Sequence, residues 1–428
     1  MPNEATHIAV DNAGRAPRLA QALARIRWQI FGGGLVVLGC PTAGAVVFAS
    51  DAVDMIAISN GALASALAML TGYVGARRLV VFPGVHVASL SLPAFVGSYG
   101  GVGVGLVVGG VAFASEILLA SCILATLFFT YAFLVQRRVR RPRMAVILAG
   151  DAADLMQFDQ VDWMPWTTPK APPAGVDAIV ADLRADMGDV WEDFLARCAL
   201  AGVRDYHSKQ TYEALTGRVR IEHLSENYLG ALNPSSAYVR LKRAADIAAA
   251  LIALVLAAPL LAAVAVAIKR DSPGPVFYRQ RRMGYRGEPF VIWKLRTMRT
   301  DIDGPAYTEG EDPRITPLGR WLRRYRVDEL PQIINILKGE MSWIGPRPES
   351  VELAAWYAQE LGFYSYRHIV RPGITGWAQV RQGWAAAPDE VRYKLHYDFF
   401  YIKHFSPWLD FAIAAQTVRV ILTGFGAR

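Results

Sequence analysis

Cysteine is scarce in this 428-residue chain: Cys40, Cys122 and Cys198 are far apart and form no CxxC pair. That spacing excludes a disulfide framework or a structural zinc site. Two lie in apolar runs and one in a predicted helix, so all three read as packing residues. Charge is scarce too, at 19% of residues against 53% hydrophobic, and the mean hydropathy of +0.23 is high for a soluble protein. No GxGxxG follows the first predicted strand, which ends at Gly150, so a nucleotide site there is not expected. The start, MPNEATHIAVDNAG, has no short basic stretch followed by an apolar core, so no signal peptide is expected.

What the chain does have is long apolar segments edged by arginine. Four membrane helices are predicted at roughly 28–50, 53–75, 89–111 and 114–135. Arg15, Arg18, Arg25 and Arg27 precede the first, Arg77 and Arg78 follow the second, and Arg137, Arg138, Arg140, Arg141 and Arg143 follow the fourth. The gap after the first carries only Asp51 and Asp54. Lys and Arg mark the cytoplasmic side, so both ends of the block are expected there. The glycines between Gly100 and Gly110 suit close helix packing. Net charge is +8. In a chain this apolar, that favours anionic headgroups or phosphorylated substrates over nucleic acid.

Residues 143–239 are expected to form a small cytoplasmic α/β domain. MAVILAG (144–150) and DAIVAD (177–182) read as buried strands, and VWEDFLARCALAG (190–202) as a helix ended by Gly202. With 1–27 as an N-terminal segment and 28–136 as the helical block, a last domain spans 240–428.

That last domain opens on an apolar run of 22 residues, Ile247–Ile268, with Lys242 and Arg243 before it, Lys269 and Arg270 after it, and Pro259 at its middle. The length suffices to cross a bilayer, yet a span would put one basic pair on the wrong side. A segment that enters, breaks at Pro259 and leaves by the same face satisfies both facts, and keeps residues 269–428 on the side where four preceding spans leave them.

The next stretch, 269–300, interleaves Arg279, Arg281, Arg282, Arg286, Lys294, Arg296 and Arg299 with aromatic residues. Part reads as a face for anionic lipid. The rest, with Arg279, Arg281, Lys294 and Arg296 as its expected members, reads as a pocket for pyrophosphate. ITPLGRWLRRYR (315–326) places Leu318, Trp321, Leu322 and Tyr325 on one helix face, which reads as a basic amphipathic helix in the headgroup layer, with a core-facing helix as the alternative. In VDELPQIINILKGEMSWIGPRPE (327–349), Pro331 fits a first helical turn, so a helix is expected from near Asp328 to Gly339. Asp328 and Glu329 then have two readings: cap and first-turn carboxylates, or a reactive pair. Their setting, among Arg323, Arg324 and Arg326 and ahead of Arg347 in a GPRP turn, is what a carboxylate nucleophile attacking phosphorus needs. Arg326 and Arg347 are the expected phosphate-binding cations of this segment.

KRAADI, IKRDSPGPVFYRQRRMG, FVIWKLRTM, DPRITPLGRWLRR, DELPQIINILKGEMSWIGPRPE, RPGITGWAQV and YDFFYIKHFSPWLD follow one another in order over residues 240–428. This succession resembles the bacterial sugar transferases, the monotopic polyprenol-phosphate phosphoglycosyl transferases. The preceding helices and insert resemble their large subgroup, which primes exopolysaccharide, capsule or O-antigen synthesis. Many members carry Ser before the mid-membrane Pro; here Ala258 stands there. The resemblance implies a membrane protein of mixed α and α/β class: four transmembrane helices, a short Rossmann-like unit, and a mostly helical catalytic domain anchored by a re-entrant helix at 247–268. It implies that Asp328 attacks the β-phosphate of a UDP-sugar and releases UMP. Undecaprenyl phosphate then takes the sugar phosphate from the aspartyl intermediate. Glu329 is its dyad partner and Mg²⁺, held at Asp328 and Glu329, is required. The expected location is the bacterial inner membrane with the catalytic domain facing the cytoplasm. The partners are UDP-sugar, undecaprenyl phosphate and membrane lipid, without nucleic acid, and a homodimer is compatible. The rival readings are a polytopic glycosyltransferase that releases UDP with no covalent intermediate, and a lipid-binding scaffold without activity. No motif identifies the sugar.

Overall fold

The computed structural model describes residues 25–423 apart from 48, 50–51, 81–86, 140, 171–174, 221–233, 303–311 and 384–387. The expected roles of Arg15, Arg18, Asp51 and Arg140 lie outside the described residues. The chain divides into two compact units, 1–217 and 218–428.

The first unit opens on helices α1 (Ile26–Val47, with a π-helical stretch at Gly34–Gly39), α2 (Ala52–Val80), α3 (Val87–Val108) and α4 (Ser115–Val139). Their interior is a column of rings: Phe129 lies 5.0 Å from Tyr73, 5.2 Å from Phe95 and 6.3 Å from Phe133. Glycine sits where a ring must approach a backbone. A Cβ at Gly33 would meet Phe129 at 2.5 Å, and one at Gly72 would meet Phe95 at 2.6 Å. The α3 glycines behave otherwise than expected: Gly100, Gly101 and Gly105 have no heavy atom within 4 Å of a built Cβ, and only Gly103 faces a neighbouring helix, at Leu118. Close packing here follows aromatic bulk across the interface, which glycine spacing alone does not reveal. Cys198 is buried in a core as expected, whereas Cys40 is exposed.

After α4 come β1 (Arg143–Ile147), β2 (Asp162–Trp166), β3 (Ala178–Ala181), α5 (Asp189–Leu200), β4 (Arg204–His207) and α6 (Ser208–Thr216). The four strands form one parallel sheet in the order β2-β1-β3-β4. Ala145, Ile147, Ile179 and Ala181 pack against Phe194 and Cys198 of α5. The two central strands were legible as apolar runs. Both edge strands lack that signal: β2 contains Pro165, tolerated on an edge, and β4 reads as polar RDYH.

The second unit begins with α7 (Ser236–Asp271), a single helix of 36 residues containing Pro259. The helix continues across the proline, so the expected break is not an end of helical structure; one lost donor is absorbed inside a long helix. One stripe of α7 faces its own unit on both sides of Pro259. Ala250 joins a core with Phe290, Ile292, Ile333, Ile336 and Met341. Val264 and Ile268 join another with Leu295 and Leu322. The opposite face is apolar and open: Val255 and Leu256 are 74% and 73% exposed. Both ends are tied down. Lys242 Nζ donates to Asp410 at 2.7 Å, and Arg243 donates to the carbonyls of Ile336 and Leu337. At the far end, Arg296 donates to the carbonyls of Ile268, Ser272 and Pro273.

The hairpin β5 (Phe277–Met283) and β6 (Pro289–Leu295) follows. Next are α8 (Pro317–Arg324), a 3₁₀ segment at Val327–Gln332, and α9 (Ile333–Lys338), closed by Gly339 at φ +91°. The parallel pair β7 (Ser342–Ile344) and β8 (Gly373–Thr375) brackets α10 (Val351–Glu360), and α11 (Trp377–Arg381), α12 (Pro388–Lys403) and α13 (Pro407–Thr423) complete the unit. The α8 stripe divides: Leu322 is buried and Leu318 packs on the same core, while Trp321 and Tyr325 stay exposed with rings 5.3 Å apart. The stripe therefore combines both expectations, half in a core and half open. Gly319 lets α8 lie directly on the chain after β6, since a Cβ there would stand 2.0 Å from the Thr297 carbonyl oxygen.

Among the described residues five helices are long and apolar enough to cross a membrane, α7 included. The protein is a membrane protein of mixed helical and α/β structure.

Candidate active site

The chain turns a corner between α8 and the 3₁₀ segment. Arg326 takes φ +56°, ψ 22°, a left-handed conformation that costs a non-glycine residue energy and that the surrounding packing must hold. The corner brings Asp328 and Glu329 inward, where both are buried. Fully buried Asn335, one turn on, accepts from Trp293 N at 3.1 Å and donates to Val291 O at 2.7 Å, fastening the segment to β6.

Glu329 Oε1 is the focus of three cations. Arg347 Nη2 donates to it at 2.8 Å, Lys294 Nζ at 3.2 Å, and Arg326 Nη1 lies 3.6 Å away. Burial works to raise the pKa of Glu329, but Arg347, Lys294 and Arg326 outweigh it and hold the carboxyl well below the usual range. Asp328 has the opposite fate. Burial first, and the Glu329 charge second, push it up to about 6 against the pull of Lys294, Arg326 and Arg323. Two adjacent carboxyls whose environments drive them apart are the signature of distinct chemical roles.

Asp328 accepts no hydrogen bond from any described residue, and its Oδ1 is buried without a partner. A helix cap would accept a backbone N–H; Asp328 does not, and the N-terminal boundary residue of the segment is Arg326. A buried acceptor with nothing bonded to it is costly unless a ligand completes it. Among the described residues no three metal-ligating side chains gather; the two carboxylates are donors that Mg²⁺ would take only together with substrate phosphate oxygens and water.

The supports of Arg347 are equally specific. Arg367, buried, donates to the Arg347 carbonyl at 2.9 Å, to Asp398 Oδ2 at 2.8 and 3.1 Å, and to the Tyr364 hydroxyl at 2.9 Å. Arg282 donates to the Pro348 carbonyl at 3.0 Å. Lys394 is bonded to Glu349, whose pKa burial would raise but Lys394 and Arg367 bring down to about 2.

Of the expected phosphate-binding residues, Lys294, Arg326 and Arg347 are gathered at the carboxylate pair. Arg279 and Arg281 are not. They point to the face of the hairpin opposite Lys294, because side chains alternate along a strand and Lys294 pairs with Tyr278. Arg279 stacks over Trp293 at 3.9 Å instead. Arg296 is also elsewhere, its guanidinium engaged by the carbonyls that end α7. Two residues outside the expected phosphate-binding set stand close in their place. Arg323, held by its Nε bond to Thr297 Oγ1 at 2.9 Å, adds positive potential at Asp328. Arg282 shares the Lys294 face of the hairpin, with Nε buried and unbonded. Strand parity, read from residue 294, would have pointed to 282 rather than 279 and 281.

A buried carboxylate pair ringed by fixed cations is an arrangement suited to phosphoryl groups. Residues 237–424 match the family described as bacterial sugar transferase. The chain is 45% identical over 363 residues to UDP-N-acetylgalactosamine-undecaprenyl-phosphate N-acetylgalactosaminephosphotransferase of Aeromonas hydrophila, covering 84% of this chain and 86% of that protein. It is 44% identical over 183 residues to UDP-glucose:undecaprenyl-phosphate glucose-1-phosphate transferase of Escherichia coli, covering 42% of this chain and 39% of that protein. It is 44% identical over 191 residues to exopolysaccharide production protein PSS of Rhizobium leguminosarum, covering 43% of this chain and 96% of that protein. The chain belongs to the bacterial sugar transferase family.

The acid limb of catalysis should report Asp328. A carboxylate that must be ionised to react loses activity as pH falls through its own pKa, so kcat/KM should decline below about pH 6. Arg326→Gln removes a cation that favours ionised Asp328, so its limb should move to higher pH. A limb that stays in place in this variant would detach the titration from Asp328.

Proposed function

We propose that this protein transfers a sugar-1-phosphate from a UDP-sugar to undecaprenyl phosphate, with Asp328 as nucleophile. An oxygen of the Asp328 carboxylate attacks the β-phosphorus. The bond from that phosphorus to the oxygen bridging the two phosphates breaks, and UMP leaves with the bridging oxygen. The sugar phosphate stays on Asp328 as an acyl phosphate. An oxygen of the lipid phosphate then attacks the same phosphorus, the aspartyl P–O bond breaks, and the carboxylate is restored. Lys294, Arg326, Arg347 and Arg323 hold the charge of the diphosphate and stabilise what develops on the departing oxygen. Glu329 keeps Lys294, Arg326 and Arg347 in place, and its negative charge beside Asp328 disfavours a second ionised carboxyl, which helps to drive Asp328 toward bond formation. Asp328 and Glu329 would hold Mg²⁺, whose chemistry is to neutralise phosphate oxygens.

The observation that carries this reading is the unpartnered Asp328 Oδ1, buried beside a fully engaged Glu329. UDP-N-acetylgalactosamine is the first donor to test. The relative named for that sugar matches most of this chain, whereas the Escherichia coli relative named for glucose matches about two-fifths of it.

The unit is anchored from one side. α7 packs on its own unit before and after Pro259, so a helix crossing the bilayer would drag α8 and α9 into hydrocarbon. An α7 embedded from the cytoplasmic face of the inner membrane, with Val255 and Leu256 toward lipid, avoids that cost. Trp321 and Tyr325 suit the adjoining interface. Four apolar helices before it, with basic residues after the second and fourth, support the same side for both substrates.

Asn caps helices as well as Asp but does not form the acyl phosphate. Asp328→Asn should therefore remain folded and membrane-bound while turnover falls by roughly 10⁴-fold or more, the scale seen when a nucleophile is removed; retained activity would end the assignment. A cysteine at 271 in intact cells should be labelled only after the inner membrane is breached. Labelling by an impermeant reagent in unbroken spheroplasts would show that α7 crosses.

A further inference from the structure

A second cationic recess lies at the head of α7, formed by residues other than those around Asp328. Lys242, Arg243, Asp246, Tyr285, Arg371 and Val239 are among the walls of this shallow, open recess. Its two unneutralised cations are rigidly held. Arg243 donates from Nη1 and Nη2 to the carbonyls of Ile336 and Leu337, at 2.6 and 3.1 Å. Arg371 donates from Nε to the carbonyl of Gly339 at 2.9 Å and stacks over Tyr285 at 4.7 Å. Both guanidiniums thus converge on the C-terminal turn of α9. Each keeps further N–H donors that no described residue accepts, and neither has a carboxylate within ion-pair distance among the described residues. A guanidinium offers five donors, and these bonds use two of one and one of the other.

Charge counting narrows the occupant. Lys242 is neutralised by Asp410. Two arginines against the single carboxylate of Asp246 leave one positive charge in the recess. A phosphodiester carries one negative charge and presents the oxygens that paired guanidiniums recognise. The apolar run of α7 begins at Ile247, immediately after Asp246, and Val239 adds an apolar wall. A phosphate tethered to acyl chains satisfies the charge and the apolar surroundings together, whereas free phosphate satisfies only the charge.

We propose that this recess binds the phosphodiester headgroup of an anionic phospholipid, as a site separate from the reaction centre. Bound there, the headgroup joins the start of α7 to the C-terminal turn of α9, whose N-terminal end continues from the segment bearing Asp328 and Glu329.

The full-length protein in nanodiscs of mixed phosphatidylcholine and phosphatidylglycerol, released into mild detergent, would be examined by native mass spectrometry for retained lipid. Wild type should keep phosphatidylglycerol in preference to phosphatidylcholine. Arg371→Gln should lower that retention on the order of tenfold, the effect of losing one charge-assisted donor group, and Arg371→Lys should restore part of it. Should Arg371→Gln fail to fold, Val239→Glu places a carboxylate in the recess without removing a cation, and should give the same loss. Arg197→Gln, in the other unit, should change nothing. Equal retention of both lipids, or undiminished phosphatidylglycerol in Arg371→Gln or Val239→Glu, would overturn the site. Displacement of the retained lipid by inorganic phosphate at a concentration no higher than the lipid's own would overturn the lipid as its occupant.

Discussion

A carboxylate removed from water must be compensated, and the catalytic unit is organised around compensating one of two adjacent carboxylates and not the other. Glu329 takes all the local cations it can reach: Arg347, Lys294 and Arg326 converge on a single oxygen. Breaking a buried pair of this kind by deleting one partner costs roughly 3–5 kcal/mol. That is a large fraction of the roughly 5–15 kcal/mol by which a domain is stable. Asp328 is left with long-range attraction but no hydrogen bond. The compensation therefore sits at Glu329, and Asp328 is the carboxylate left open to a ligand. A phosphoryl group entering the site would give the cations new oxygens and give Asp328 the partner it lacks.

The surrounding fold serves this division. Each cation approaches from a different element: Lys294 from β6, Arg326 from the corner after α8, and Arg347 from the turn after β7. Convergence requires those elements to be locked to one another. Asn335 locks the 3₁₀ segment to β6, Arg367 and Arg282 fix the backbone around Arg347, and Gly319 brings α8 against the chain after β6. α7 adds the membrane to the same framework, since its inner stripe packs on the residues that carry α8, α9 and the hairpin. The apolar helix α7 and the elements that carry the site thus share one core.

The gathering of cations at the carboxylate pair was legible because the pair's neighbours in sequence are also its neighbours in space. The Arg326–Asp328–Glu329 run sits in one 3₁₀ turn, and the rigid GPRP turn announced Arg347. The long apolar segments declared themselves by length, and the central strands β1 and β3 by their apolar runs. Cations reached through strand geometry were harder. Counting arginines in 269–300 treated 279, 281, 294 and 296 as one patch, but alternation sends 279 and 281 to one face and 294 to the other. Arg296 was illegible for another reason: its partners are main-chain carbonyls at the end of α7, which carry no signal in side-chain sequence. The α8 stripe was read correctly as apolar, yet sequence does not say whether lipid or protein covers such a face. Here Leu322 meets protein while Trp321 stays open.

The central claim is that a bond forms between Asp328 and the sugar phosphate. It is tested most directly by incubating the protein with isotopically labelled UDP-N-acetylgalactosamine without lipid acceptor, then quenching and mapping peptides by mass spectrometry. The account predicts a phosphosugar adduct on Asp328 with one UMP released per adduct, discharged when undecaprenyl phosphate is added. Release of UDP in place of UMP, or an adduct on any other residue, would contradict it.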